Sequence, residues 1–280
     1  MTSLLDFLFG FEFLFSPYLC PMKLIDTHTH LYLPQFDEDR AEMMARANEA
    51  GITQMFLPGI DSEHVAAMLQ LEKDYPGICL AMPGLHPCSV GENVEAELAI
   101  VKSMLEENRK WCAIGEIGLD LYWDKTFVEQ QKFAFRQQIQ WAKEYHLPIV
   151  IHSRDATQEC IDLVKSEKDE RLKGVFHCFG GSLEEARQIM ELDFMLGIGG
   201  VLTFKKAGLD LVMPDVPMEY IVLETDSPYL APVPFRGKRN ESSYLLYVAQ
   251  KLAEIKGVSV AEVAEITTAN ALKLFNQTPG

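Results

Sequence analysis

The stretch KLIDTHTHL, Lys23 to Leu31, carries Asp26, His28 and His30 at alternate positions behind an apolar run. Alternate side chains of an extended chain share a face, so the stretch predicts a strand whose face ends in two imidazoles, about 7 Å apart along the backbone. Four more candidates end apolar runs in the same way: Glu116 in AIGEIGLD, His152 in IVIHSRDA, His177 in GVFHCFGG and Asp226 in LETDSPYL. A lone histidine or carboxylate in such a place is costly to bury unless it is paired or bound to a metal. Together, four imidazoles and two carboxylates exceed the needs of one tetrahedral zinc and suit two divalent cations bridged by a single carboxylate. Glu116 is the natural bridge, and Gly115 and Gly118 beside it are expected to leave room for the cations.

Those residues need elements that bring them to one place. From Lys23 onward, short apolar runs alternate with turns and longer amphipathic stretches, predicting strands near residues 23–30, 53–59, 79–85, 111–117, 148–152, 174–179, 194–199 and 220–226. Helices are expected over Asp37 to Ala50, Asn93 to Arg109 and Glu129 to Tyr145, and Ser182 with Glu185 and Ser259 with Glu262 match the capping box that opens a helix. Eight strands alternating with helices, unbroken by a linker or repeat, predict a single (β/α)8 TIM barrel over residues 22–280; a doubly wound open sheet is the alternative. The barrel is favoured because all six candidates then lie at the carboxyl ends of strands, where barrel enzymes build their sites. On the same rim, His86 in GLHP is expected either to touch substrate phosphate or move a proton, or to be only a turn residue before Pro87. His64 and His146 are expected at helix ends.

The whole chain, 280 residues with 41 acidic and 25 basic side chains, has a formal charge of −16, which excludes a broad basic groove for duplex DNA. Any nucleic acid must be gripped locally. The six cysteines form no C-x-x-C pair, as expected of free thiols in a reducing compartment, with cytoplasm the default. Residues 1–21 are rich in Phe and Leu but carry Asp6 and Glu12 and no preceding basic residue; they are expected to be an extension outside the fold, neither signal peptide nor membrane span.

The motifs DTHTHL, GLHP, AIGEIGLD, IVIHSRDA, GVFHCFGG, LETDSPYLAP and ANALKLF occur in the order of the TatD family, so the chain resembles the TatD-type metal-dependent deoxyribonucleases from about Met22 to Phe275. The resemblance implies that His28, His30, Glu116 and Asp226 hold one metal while Glu116, His152 and His177 hold the other, and that His86 belongs to the catalytic site. It implies two divalent cations (Mg, Mn or Zn), which at ~3.5–4 Å separation lower the pKa of a bridging water. Asp226 is then the expected general base, and trimming of single-stranded DNA or RNA ends, with no stable duplex binding and no membrane, the expected activity. Arg154, Lys205, Tyr122 and Trp123 are the expected substrate contacts, with Tyr122 and Trp123 either stacking on an unpaired base or packing against the rim. The cluster Arg236, Lys238 and Arg239 also faces this role, or is a solvated basic face. Two rivals stand beside the nuclease reading: an amidase, lactonase or phosphoesterase acting on small molecules at the same centre, and a metal-holding binding protein with little turnover.

Overall fold

Strands and helices alternate along residues 22–278, the part of the chain that the computed structural model describes; the expected extension at 1–21 lies outside the described residues. In chain order the elements are β1 (Leu24–Asp26), α1 (Arg40–Glu49), β2 (Ile52–Pro58), α2 (Val65–Asp74), β3 (Cys79–Met82), α3 (Val94–Leu105), β4 (Ile114–Asp120), α4 (Val128–Tyr145), β5 (Ile149–Arg154), α5 (Thr157–Glu167), β6 (Gly174–Phe176), α6 (Leu183–Glu191), β7 (Met195–Ile198), α7 (Leu209–Val212), β8 (Ile221–Leu223), α8 (Leu245–Lys256) and α9 (Val260–Leu274). All strand pairs are parallel, in two ladders, β1-β2-β3 and β4-β5-β6-β7-β8. Backbone bonds outside regular pairing join the ladders at both seams. At one, Gly115 N donates to Pro83 O (2.9 Å) and Glu116 N to Gly59 O (3.0 Å). At the other, Thr27 N donates to Leu223 O (3.0 Å), Asp226 N to His28 O (2.9 Å) and His30 N to Ser227 O (2.7 Å). The sheet therefore closes into the expected (β/α)8 barrel, without free edges.

Period-two patterning divides the strand residues between two cores. Ile25, Phe56, Met82, Val150, Val175 and Val222 fill the barrel interior together with Ala271, Leu274 and Phe275 at the end of α9, where Phe275 meets Phe56 edge to face at 4.5 Å. Their neighbours Ile149, Ile151, Phe176, Ile221 and Leu223 face the helical layer. Helix α4 shows how that layer is written, burying Ala134, Phe135, Gln138, Ile139 and Ala142 at helical spacing and ending at His146, in the left-handed conformation (φ 55°), before Leu147 and Pro148. Ser182 and Glu185 form the predicted capping box of α6; at α9 only the Ser259 half forms, its hydroxyl accepting from Glu262 N.

Several strand boundaries differ from the sequence reading: β6 stops at Phe176 and β8 at Leu223, before His177 and Asp226, while β5 runs on past His152 to Arg154. β1 stops at Asp26, so His28 and His30 sit beyond it on the irregular seam. β4 runs on to Asp120, so Glu116 is inside the strand rather than at its end. Asp26 does not join the histidines: its carboxylate turns away and accepts from Thr225 N (2.9 Å), Thr225 Oγ1 (2.6 Å) and Ser242 Oγ (2.6 Å). That bonding ties β1 to the segment carrying Asp226. Asp26→Ala strands these buried donors and is expected to cost roughly 2–4 kcal/mol of unfolding free energy, read from urea denaturation; a loss near zero would mean that water replaces the carboxylate.

Candidate metal centre

Donor atoms from the two seams gather here: a nitrogen of His28, a nitrogen of His30 and an oxygen of Glu116 lie within 4.8 Å of one another, and Asp226 stands beside the two imidazoles. His28 Nε2 lies 3.3 Å from His30 Nε2, 3.1 Å from Glu116 Oε2 and 3.8 Å from Asp226 Oδ1, while His30 Nε2 lies 3.5 Å from Glu116 Oε2 and 3.7 Å from Asp226 Oδ1. Ligands held at about 2.1 Å by a tetrahedral cation stand about 3.4 Å apart, so these separations fit one metal ion. The other oxygen of Glu116 serves a second group: Oε1 lies 2.7 Å from His152 Nδ1, 2.9 Å from His177 Nε2 and 3.2 Å from His86 Nε2. Glu116, 2% exposed, thus divides its two oxygens between two sets of imidazoles.

Hydrogen bonds behind the rings decide which nitrogen is free. Tyr32 OH donates to Pro58 O and therefore accepts from His30 Nδ1 (2.9 Å), leaving the His30 Nε2 lone pair facing the site. His152 Nε2 donates to Asp120 Oδ2 (2.8 Å), leaving Nδ1 as its ligand atom. His177 backs onto buried Glu224, Nδ1 to Oε1 3.3 Å. His86 is arranged the other way. Its Nδ1 accepts from Cys88 N (3.0 Å) at the start of a short turn, so its neutral ring carries the proton on Nε2 and points a donor into the site. His86 is both the turn residue and the site residue that the sequence left as alternatives, and it suits an oxygen of a phosphate or water better than a cation.

Burial and mutual charge fix the protonation of this cluster. Burial pushes the Glu116 carboxyl up, but His177, His86 and His28 and the His152 hydrogen bond outweigh it and hold it well below the usual carboxylate range. Burial likewise opposes the charged form of His177, yet Glu116 and Glu224 raise it well above an ordinary histidine. His28 is pushed well down, first by burial and then by the charge of His177. Burial pushes Asp226 up to about 6. The site thus holds a buried ion pair with surplus lone pairs, a donor set that fits divalent cations.

The glycines of AIGEIGLD have a different task from the one expected. A Cβ on Gly118 (φ +144°) would stand 2.0 Å from His152 O, and one on Gly115 would stand 2.7 Å from Val150 Cβ. They let β4 approach β5 rather than make room for cations. The centre opens into a cavity of about 1320 Å³ whose walls include Trp123, Arg154, Arg236 and Lys238. Tyr122 is exposed beside the cavity rather than lining it, with the Arg154 guanidinium over its ring at 3.9 Å. Lys205 is misplaced by the sequence reading: it lines a separate cleft with Leu202, Asp210 and Tyr247, because the turn after β7 carries it outward. Arg239 pairs with Asp39, and His64 with Asp61, so both are engaged in structural contacts. Asp120 and Glu224 were missed, although each stands in a quoted motif, GLD and LETD.

The profile of the TatD related DNase family matches residues 25–276. The chain belongs to the TatD family. It is 43% identical over 253 residues to the uncharacterized metal-dependent hydrolase YabD of Bacillus subtilis, covering 90% of this chain and 98% of that protein. It is 32% identical over 259 residues to the 3'-5' ssDNA/RNA exonuclease TatD of Erwinia tasmaniensis, covering 90% of this chain and all of that protein. The crystal structure of YjjV, a TatD homolog from Escherichia coli, superposes with a TM-score of 0.86 at 31% identity, covering 92% of this chain and 99% of that one. Among the described residues, no helix is long and apolar enough to cross a membrane, and Cys79, Cys88, Cys112, Cys160 and Cys178 are free.

Proposed function

We propose that this TatD-family hydrolase trims single-stranded DNA or RNA from the 3' end, with two divalent cations per chain. The observation that carries the reading is the division of Glu116 between two sets of imidazoles. His28, His30, Glu116 and Asp226 would hold one cation, and Glu116, His152 and His177 the other. When bound, such cations supply an activated water and neutralise charge on the phosphate. Asp226 accepts the proton of that water. His86 Nε2–H donates to a phosphate oxygen, and Arg154, Arg236 and Lys238 attract the chain from the cavity walls. A cavity larger than the roughly 300–1,000 Å³ of small-molecule clefts suits a short strand better than a lactone. The free thiols support a reducing, cytoplasmic setting.

End-labelled single-stranded oligonucleotides, offered with Mg²⁺, Mn²⁺ or Zn²⁺ beside simple esters and lactones, test the reading. Stepwise shortening from the 3' end is the expected product pattern; hydrolysis of the lactones alone would transfer the site to small molecules. Metal uptake should also depend on pH. His177 and Asp226 both hold protons to higher pH than their ordinary values, Asp226 up to about 6. A cation must displace those protons, so affinity should weaken as pH falls, first from above the ordinary histidine range as His177 keeps its proton and further through about 6 as Asp226 does, with proton release measurable by titration calorimetry in buffers of different ionisation enthalpy. Uptake independent of pH would mean that other groups bind the metal.

A further inference from the structure

Two large aromatic side chains stand in solvent beside the catalytic cavity. Tyr122 is 50% exposed and Trp123 67%, whereas Trp111 and Trp141, the chain's other tryptophans, are buried. The pair packs edge to face, with ring centroids 4.8 Å apart. Arg154 at the end of β5 lays its guanidinium 3.9 Å from the Tyr122 ring and 5.1 Å from that of Trp123. The backbone beneath is pinned: Asp120 Oδ1 accepts from Tyr122 N (3.0 Å) and Trp123 N (2.9 Å), and Leu121 N donates to Arg154 O (3.0 Å). The second oxygen of the same carboxylate holds His152. One buried side chain therefore sets both a site imidazole and an aromatic turn.

We propose that Tyr122, Trp123 and Arg154 form a stacking subsite for the unpaired nucleobase next to the scissile phosphate, held in register with His152 by Asp120. The inference rests on the nuclease reading above. A base in a duplex has both faces covered by its neighbours, whereas a base at a single-stranded end has a face to offer to an indole, and such stacking tolerates any base. Arg154, its guanidinium carbon 3.9 Å from the Tyr122 ring centroid, can still offer N–H groups to the adjoining phosphates. This places positive charge at the mouth of the site, where a polyanion would enter a molecule of net charge −16.

The test uses the full-length, metal-loaded protein with a hydrolysis-resistant phosphorothioate oligothymidylate and with cleavable oligonucleotides ending in ordinary or abasic residues. Because Trp123 is the exposed tryptophan, the oligothymidylate should quench intrinsic fluorescence, and Trp123→Ala should abolish that quenching. The preference for base-bearing over abasic ends should fall about 5- to 150-fold in Trp123→Ala, through KM, and recover in part in Trp123→Phe. Being exposed, the position tolerates both changes. Absent quenching, or an unchanged preference in Trp123→Ala, overturns the subsite while leaving nuclease activity standing. Quenching without cleavage of any oligonucleotide overturns the nuclease reading and leaves the subsite.

Discussion

Glu116→Gln is expected to lower kcat/KM by on the order of 10³-fold or more, because the interactions it removes are worth several kcal/mol and each 1.36 kcal/mol is tenfold. The substitution keeps the shape of the side chain, so the β4 seam should survive. What changes is the chemistry of two oxygens at once. Oε2 faces His28 and His30, and Oε1 faces His152 and His177. An amide has one acceptor and one donor, so whichever way it turns, one set of imidazole lone pairs meets an N–H₂ group instead of an anion. Loss of the charge also removes one of the two carboxylates, with Glu224, that hold His177 above its ordinary pKa. Metal content measured on the purified variant should fall for both cations, while thermal unfolding stays cooperative. A variant that retained both metals would show that the bridge lies elsewhere.

The same residue marks the limit of what the sequence makes legible. Each strand of the barrel announces itself as an apolar run, because inward and outward faces are both buried and no other composition survives there. The six candidate ligands end or interrupt such runs, and so stand out. Their partners do not. Tyr32 and Asp120 fix the ring orientations of His30 and His152 by hydrogen bonds and Glu224 sets its charge against His177, yet polar residues beside a motif are ordinary at strand ends, and their role exists only through contacts as distant as Glu224 with His177. Glycines misled for a related reason. The strain that Gly118 relieves comes from the backbone of β5, which sequence spacing does not reveal. Lys205 was assigned from the general habit of barrel loops to bind phosphate, and the local turn after β7 overrode that habit.

Asp226→Asn should separate proton transfer from metal holding. Asp226 sits in the left-handed region (φ 56°), its N–H bound to His28 O, a conformation that asparagine adopts readily, so the seam should be preserved. The amide oxygen can still face His28 and His30, but it cannot take a proton. Activity is therefore expected to drop ~10²–10⁴-fold, the usual worth of a positioned base, with metal content largely kept, unlike Glu116→Gln. The pH profile supplies the sign. A base works only when unprotonated, and burial puts the Asp226 carboxyl at about 6, so wild-type activity should fall as pH drops through that value or lower, a bound cation moving the limb downward. In Asp226→Asn that acid limb should flatten. If the variant kept the wild-type limb at a reduced rate, the proton would have to go to another group, and His86, whose Nε2 already carries one, could not take it without acquiring a charge that its burial disfavours.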